Sequence, residues 1–297
     1  LNSVVDSTEN GQINARSIAP DIQIIDSLED MLRDDQIQGV ALATPAETHA
    51  ELAIQAMQAG KDVFVEKPMA LTLEDAEEMK KVSEKTGRVL MVGHLLEYHP
   101  AVLKLREMIA SGELGKINYI YSNRLNFGKV RTEENALWSF APHDVAVILR
   151  LMGKEPEEVS ACGGSYLTRG VSDITMSNLR FADDCRAHIF VSWLHPFKEQ
   201  RLVIVGSKKM AIFNDVAPLG QKLQLYPQNV EFDGNLPLLK KDDAQFIGHA
   251  NTEPLLEECA HFIECIKSKK QPLTDAQSGI DVLKVLHACQ QSIEQNG

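Results

Sequence analysis

The sequence predicts an α/β fold in two parts: a doubly wound parallel sheet over residues 1–96, then an α+β domain with a large, mostly antiparallel sheet over residues 97–297. In the first part, short apolar runs alternate with segments of helical spacing, which is typical of parallel strands covered by helices on both faces. In the second part, polar and apolar residues alternate with period two, as in an antiparallel sheet with two different faces.

The helices of the first part carry their own start and stop signals. The strand-like runs between them are residues 2–5, 39–43, 62–65 and 88–92. Residues 44–47 have the pattern of a capping box with proline at the first helical position, and Gly60 ends that helix. Thr72 opens the next helix and Gly87 ends it, while Ser27 can cap a shorter one.

The second part mixes helices with short strands. We expect helices over residues 100–112, 144–152, 253–268 and 276–294, and strands over 116–125, 177–181 and 186–193. Residues 215–252 are rich in Pro, Gly, Asn and Asp, so they are predicted to form a long irregular loop.

The composition excludes several classes of function. With 30 Lys+Arg against 42 Asp+Glu, the net charge of −12 disfavours binding to nucleic acid or to an anionic membrane surface. No apolar run reaches the ~18 residues of a membrane span. The five cysteines are scattered, without metal-ligand spacing, so we expect no bound metal and a reducing, cytoplasmic location.

The first strand-like run ends at an acid, Asp6. In open parallel sheets ligands bind at the carboxyl ends of strands, and an acid at the end of the second strand of a dinucleotide fold binds the adenosine ribose. The matching glycine-rich loop would lie ~20 residues upstream, and no G-x-G-x-x-G occurs in the chain. Either Asp6 is an ordinary strand-end acid, or the first βα unit precedes residue 1.

Residues 39–43 run into the segment T-P-A-E-T-H, which contains Thr44, Pro45 and His49. The helix that follows would point its N-terminal amides at the sheet edge, where they could bind a polar or anionic cofactor group. The alternative is that Thr44 only caps the helix and His49 is a surface residue of its first turn.

The run V-F-V-E-K-P places a lysine where a buried strand stops. Glu66 and Lys67 should point to opposite sides of the strand, and Pro68 should fix the direction of Lys67. An ammonium group held at this edge lies in the ligand crevice, where burial and a positive nicotinamide ring would lower its pKa for proton transfer. The alternative is a lysine that extends from the strand end into solvent.

Several segments together resemble the glucose–fructose oxidoreductase/inositol dehydrogenase/MocA (Gfo/Idh/MocA) family. The segments are 43–79, with T-P-x-x-x-H and G-K-x-V-x-x-E-K-P, and then 92–102, 112–117, 141–144 and 274–283. The resemblance covers essentially the whole chain. It implies a Rossmann domain and a C-terminal domain whose open antiparallel sheet builds homodimers or homotetramers.

The resemblance assigns roles around the cofactor. Lys67 would be the catalytic lysine that touches both the nicotinamide and the substrate hydroxyl, and its bond to Pro68 would be cis. An acid at position 6 would favour NAD over NADP, because it repels a 2′-phosphate. The residues lining the cofactor would be Asp6, Thr44, Pro45, His49, Glu66 and Lys67. His94 is predicted from its position instead, because it follows the apolar run 88–92 and could flank the nicotinamide.

The resemblance also makes His143 the partner of Lys67 in moving the hydroxyl proton, and a histidine titrates in a suitable range. Many family members have an aspartate four residues earlier, where this chain has Ser139. Asp144 or the substrate would then have to supply the missing charge. Substrate contacts are predicted for His99, Arg124, Trp138 and Asp144, with structural packing an equal alternative for the first three.

The function predicted in this way is an NAD-dependent oxidoreductase acting on a secondary hydroxyl of a sugar or nucleotide sugar. The W-x-x-A-P-H-D segment resembles members that oxidise UDP-sugars at the 3-position for surface polysaccharides, and Arg124, Arg131 and Arg169 could bind such an anion. One alternative is an NAD-dependent glycosidase on the same fold. The other is a non-catalytic sugar or dinucleotide sensor, which would not need E-K-P and His143.

Overall fold

The computed structural model describes residues 1–227, 229–240 and 242–296. The chain forms two compact units. Unit 1 contains residues 1–93 and 261–276, and unit 2 contains residues 94–260 together with the end of the chain from residue 277. The sequence placed the boundary after residue 96 and assigned all later residues to the second domain, so the return of residues 261–276 to unit 1 was not predicted.

Unit 1 is a parallel α/β domain, as the sequence predicts. Its strands are β1 (Ser3–Val4), β2 (Gln23–Ile24), β3 (Gly39–Leu42), β4 (Asp62–Val65) and β5 (Leu90–Val92). Its helices are α1 (Glu9–Ile18), α2 (Leu28–Arg33), α3 (His49–Gln58) and α4 (Leu73–Thr86). Parallel pairing joins β1 to β2 and, in a second ladder, β3 to β4 to β5.

Most helix ends of unit 1 follow the local sequence signals. The Ser27 and Thr72 hydroxyls each accept a backbone N–H three residues on, at 3.1 Å, and Gly87 ends α4 with φ +63°. The capping box predicted at Thr44 is wrong. A 3₁₀ turn over Ala46–Thr48 precedes α3 without a side-chain cap, and the Thr48 hydroxyl donates to Thr44 Oγ1 instead.

Three contacts explain why residues 261–276 belong to unit 1. The ring of Phe262 lies 5.8 Å from that of Phe64 on β4, and Lys269 Nζ lies 2.8 Å from the buried Asp62 carboxylate. The backbone N–H of Val92 donates to the carbonyl of Thr274 at 2.8 Å. These are long-range contacts to strand residues, which local sequence patterns do not reveal.

Unit 2 is built on an eight-stranded sheet with the order β15-β12-β11-β10-β6-β9-β8-β7. Its strands are β6 (Ile117–Phe127), β7 (Glu158–Gly164), β8 (Ile174–Arg180), β9 (Arg186–Ser192), β10 (Leu194–Gly206), β11 (Met210–Asn214), β12 (Leu223–Tyr226) and β15 (Gln245–Phe246), with a separate hairpin of β13 (Asn229–Asp233) and β14 (Leu236–Lys240). All neighbours pair antiparallel except β6 and β9, which are parallel. The irregular loop predicted over 215–252 is therefore wrong, because this stretch contains β12 to β15.

The helices of unit 2 are α5 (Pro100–Ala110), α6 (Ala136–Met152), the start of α7 (Pro254–Ser268) and α8 (Ala276–Asn296) from residue 277. The sequence predicted α6 only from residue 144, whereas it begins two turns earlier and contains Pro142. The core is a continuous apolar layer that includes Ile120, Leu137, Trp193 and Leu286, all at most 1% exposed. No helix in the described part of the chain has both the length and the apolar character to cross a bilayer.

Candidate active site

In unit 1, a short turn carries Lys67 away from the end of β4. The N–H of Glu66 donates to the carbonyl of Leu42 at 2.9 Å, which extends the pairing of β4 with β3 by one residue. The N–H of Lys67 then lies 3.2 Å from Glu66 Oε2, and the Lys67–Pro68 peptide bond is cis. Lys67 is half-buried. The lysine therefore lies where the sequence predicts it, at the carboxyl edge of the parallel sheet.

Gly93 makes room for the Glu66 side chain. The N–H of Gly93 donates to the carbonyl of Val65 at 2.8 Å, so this glycine lies beside the end of β4. A Cβ at this position would lie 3.0 Å from Glu66 Oε2 and 3.3 Å from its Cα. A side chain here would displace Glu66, which holds the Lys67 N–H. Gly93 was not among the predicted site residues, although a glycine directly after a buried strand is a usable signal.

His49 lies in the first turn of α3 and is only 1% exposed. Its Nδ1 lies 2.8 Å from the carbonyl oxygen of Pro68, and its Nε2 lies 2.9 Å from that of Thr44. The alternative, in which His49 is a surface residue, is therefore wrong. Both ring nitrogens face the backbone, and its predicted contact with the cofactor stays a prediction. Thr44 and Pro45 are exposed at the end of β3, in keeping with an accessible site there.

Asp6 follows β1 and faces the start of α1. Its Oδ1 accepts both the N–H and the hydroxyl of Thr8, at 2.8 and 2.7 Å, and these hydrogen bonds lower the pKa of the carboxyl below its usual value. A Cβ on Gly11 would lie 2.0 Å from Asp6 Oδ2, so the carboxylate occupies space that only glycine leaves open. An ionised acceptor at this strand end fits the hydroxyls of an adenosine ribose.

In unit 2, α6 carries His143 and its neighbours. His143 is half-buried, and Ser139 lies one turn earlier on the same helix face, 7% exposed. Asp144 is 4% exposed and accepts from Ser122 Oγ at 2.6 Å, from Arg124 Nε at 2.7 Å and from Arg124 Nη2 at 3.2 Å. These bonds tie α6 to β6, so Asp144 fixes the rotation of the helix that presents His143.

The other predicted substrate residues also have partners within unit 2. His99 caps α5, since its Nδ1 accepts the N–H of Ala101 at 3.1 Å. Its Nε2 lies 3.6 Å from Asp215 Oδ1, and burial lowers its pKa from 6.5 to about 4. The indole Nε1 of Trp138 donates to Gln290 Oε1 on α8 at 3.3 Å. For His99, Trp138 and Arg124 these contacts favour the packing alternative, and substrate contact stays a prediction.

His94 directly follows Gly93 and is the first residue of unit 2. It is 2% exposed. Its predicted place beside the nicotinamide stays a prediction.

Sequence reasoning also missed a buried ion pair beside this segment. Glu97 is 3% exposed and accepts a hydrogen bond from Arg150 Nε of α6. Both line a cavity of about 450 Å³ together with Arg106, Lys154 and Asp281, where burial raises the pKa of the Asp281 carboxyl. A single acid within the apolar run L-L-E-Y was the available signal, because a charge in such a run is buried only with a partner.

The predicted residues thus form groups within each unit. Thr44, His49, Glu66 and Lys67 gather at the carboxyl ends of β3 and β4, joined by the contacts of His49 and Glu66. Asp6 lies at the end of β1, in the other ladder. In unit 2, Asp144 pairs with Arg124 next to His143, and these residues form the second group.

An oxidoreductase family model, described as an NAD-binding Rossmann fold, matches residues 2–94, and the Gfo/Idh/MocA C-terminal domain model matches residues 102–212. The 2,7-anhydro-N-acetylneuraminate hydratase of Mediterraneibacter gnavus is 27% identical over 81% of this chain and 67% of its own length. The chain spans about two thirds or less of the length of several curated relatives.

A UDP-N-acetylglucosamine 3-dehydrogenase from Acidithiobacillus ferrooxidans is 26% identical over 84% of this chain and 76% of its own. A solved structure of that enzyme superposes with a TM-score of 0.86, covering 99% of this chain and 90% of the other at 22% identity. At that identity the structural likeness is one of fold.

Proposed function

Because the chain belongs to the Gfo/Idh/MocA family of oxidoreductases, whose N-terminal domain is an NAD-binding Rossmann fold, we propose that it transfers hydride between NAD and a secondary hydroxyl of a sugar or nucleotide sugar. The observation that carries this proposal is the position of the turn at Lys67, after β4. Lys67 lies at the carboxyl edge of the parallel sheet, and its backbone is held by Glu66 on one side and, through Pro68, by His49 on the other.

Residues of unit 1 support the proposed binding of NAD. The Asp6 carboxylate, kept ionised by Thr8, would accept hydrogen bonds from the adenosine ribose and would repel the 2′-phosphate of NADP. Thr44 and Pro45 would border the cofactor at the end of β3. When bound, NAD supplies the hydride acceptor for the substrate carbon.

Lys67 then removes the proton of the reacting hydroxyl as that carbon loses its hydrogen as hydride. We propose His143 of unit 2 as the second group that handles this proton. Ser139 can bond to a histidine but cannot offset an imidazolium by charge. Asp144 is already neutralised by Arg124, so compensation from Asp144 is weak. Lys67 therefore carries the larger share of the proton transfer in this chain.

The relatives and the arginines support the proposed substrate class. One relative is a UDP-N-acetylglucosamine 3-dehydrogenase, and the nucleotide sugar it acts on is an anion. In unit 2, Arg124 forms an ion pair with Asp144, and Arg131 forms ion pairs with Glu133 and Glu134. Arg169 is exposed and forms no ion pair with another described residue, so it could bind a diphosphate. We propose a UDP-sugar oxidised at the 3-hydroxyl as the first substrate to test.

The test is a panel of UDP-sugars and free sugars with NAD and with NADP, followed by the absorbance of the reduced cofactor. The proposal predicts turnover with at least one UDP-sugar, faster with NAD than with NADP, and its loss in an Arg169→Ala variant. Turnover confined to free sugars would contradict the nucleotide-sugar assignment. An absence of cofactor reduction with every sugar would contradict oxidation as the net reaction.

A second candidate function rests on the hydratase among the relatives. On this fold a transient oxidation can activate an elimination at a neighbouring carbon, after which the cofactor returns to its starting state. The two candidates differ in stoichiometry. A dehydrogenase yields one reduced cofactor for each substrate in a single turnover, whereas a hydratase or glycosidase yields a changed sugar and no net reduced cofactor.

We also propose that the chain forms a homodimer or homotetramer through the outer face of the eight-stranded sheet. That face carries a ring cluster in which Tyr121 stacks on His188 at 5.3 Å and the Tyr119 hydroxyl lies 3.1 Å from His188 Nδ1. Exposed Met176 lies on the same face. A cytoplasmic location stays a prediction.

A further inference from the structure

The Lys67 turn is held by contacts on both of its sides. On the side of the strand, the Lys67 N–H lies 3.2 Å from Glu66 Oε2. On the far side, the carbonyl of Pro68 lies 2.8 Å from His49 Nδ1. Met69 and Ala70, which follow, are each 1% exposed, so the chain returns at once to the interior.

His49 is also bound to the neighbouring strand end. Its Nε2 lies 2.9 Å from the carbonyl of Thr44, two residues beyond the end of β3. A carbonyl oxygen only accepts, so each contact needs hydrogen on the ring nitrogen: a neutral imidazole satisfies one and an imidazolium both. The buried ring therefore connects the loop after β3 to the turn after β4.

We propose that His49 is a positioning residue that sets the direction of the Lys67 side chain. This rests on the proposed function, in which the Lys67 amine must lie within hydrogen-bond reach of the reacting hydroxyl. With hydrogen on Nδ1, the ring donates to the Pro68 carbonyl and leaves it little freedom, and Pro68 is the residue next to Lys67. A misplacement of about 1 Å at a catalytic group can cost ~100-fold in rate.

The test compares two variants at opposite ends of β4. In His49→Gln both N–H donors are on one nitrogen. That nitrogen cannot replace the two separate ring nitrogens that face the Pro68 and Thr44 carbonyls in the native chain. Asp62→Asn is the matched control. Like His49, Asp62 is 1% exposed. Its carboxylate accepts the Val89 N–H at 2.8 Å and pairs with Lys269 at 2.8 Å, so it also connects separate segments of unit 1. Unlike His49, it lies at the amino end of β4.

The first measurement needs no turnover. The full chain, without cofactor, is acetylated at trace level, and mass spectrometry gives the labelling of Lys67 relative to exposed Lys85 of the same unit. His49→Gln should raise this ratio at least about threefold, because the released turn exposes the amine to solvent for longer. Asp62→Asn should leave the ratio within about 1.5-fold of the native chain, although both variants lose stability.

The second measurement is steady-state kinetics with the best substrate of the panel. His49→Gln should lower kcat by about 10- to 100-fold and leave KM for NAD within about threefold, since positioning acts on the transition state. Asp62→Asn should leave both constants close to native. If His49→Gln does not fold, Glu66→Ala replaces it, because it frees the Lys67 N–H on the other side and should raise the labelling ratio in the same way.

The outcomes separate this proposal from the proposed function. A labelling ratio and a kcat in His49→Gln that match those of Asp62→Asn would overturn the positioning role, whatever the substrate. If the labelling ratio rises but Lys67→Ala turns over like the native chain, the turn is held by His49 and the catalytic assignment of Lys67 is wrong.

Discussion

Replacing Asp144 with alanine is the sharpest test of how α6 is held. The substitution removes a carboxylate that accepts three hydrogen bonds, two of them from Arg124. The side chains of Arg124 and Asp144 are 11% and 5% exposed, so the guanidinium would stay buried without its counter-charge. Breaking such a pair typically costs about 3–5 kcal/mol, and we expect that loss in the free energy of unfolding of unit 2.

The assay uses the tryptophans. Both Trp138 and Trp193 lie in unit 2, so intrinsic fluorescence during urea denaturation reports the unfolding of this unit alone. The matched control is Glu107→Ala, which removes an exposed pair with Lys104 at 3.0 Å on α5 and should cost less than about 1 kcal/mol. The double variant Arg124→Leu/Asp144→Ala removes the unpaired charge as well and should recover at least about 2 kcal/mol.

If Asp144→Ala costs no more than Glu107→Ala, the carboxylate is not needed to hold α6 on β6. If the double variant is less stable than Asp144→Ala alone, the unpaired guanidinium charge is not the source of the cost.

Two further predictions follow from perturbed groups. Burial lowers the pKa of His99 from 6.5 to about 4, so between those pH values the unfolded chain binds the proton and the folded chain does not. The stability of unit 2 should therefore fall as pH falls through this window. It should fall less steeply in His99→Asn, whose side-chain oxygen can still cap α5. Identical slopes of stability against pH, measured by tryptophan fluorescence, would contradict this prediction. Asp6→Ser should raise the ratio of kcat/KM for NADP over NAD by about tenfold, equivalent to ~1.4 kcal/mol, and an unchanged ratio would remove Asp6 from the cofactor assignment.

The sequence predicted the architecture of unit 1 because its signals are local. Apolar strand runs and the caps at Ser27 and Thr72 depend on residues within one turn of each other, and the structure confirms them. The cis bond before Pro68, expected from the family resemblance, is also present. The helix start at Thr44 failed because Thr48 and His49 compete for that segment with contacts of their own.

The errors in unit 2 have longer-range causes. The strands β12 to β15 were not predicted because their sequence is polar and rich in turn residues. Their strand propensity is low, and pairing with β11 and with each other stabilises them. The first two turns of α6 were not predicted because Pro142 normally interrupts a helix. These turns are nevertheless stabilised by the buried Leu137 and by the Asn135 cap. Likewise, the sequence placed Thr44, His49 and Glu66 at strand ends near Lys67, but the contact of His49 with a carbonyl 19 residues away is long-range.

The most direct test of the central claim is pre-steady-state reduction of NAD by Lys67→Ala with the best substrate of the panel. If Lys67 takes the hydroxyl proton, the rate of cofactor reduction should fall by about 10²- to 10⁴-fold, while the dissociation constant of NAD stays within about threefold of the native value. Reduction of NAD by Lys67→Ala at the native rate would contradict the account.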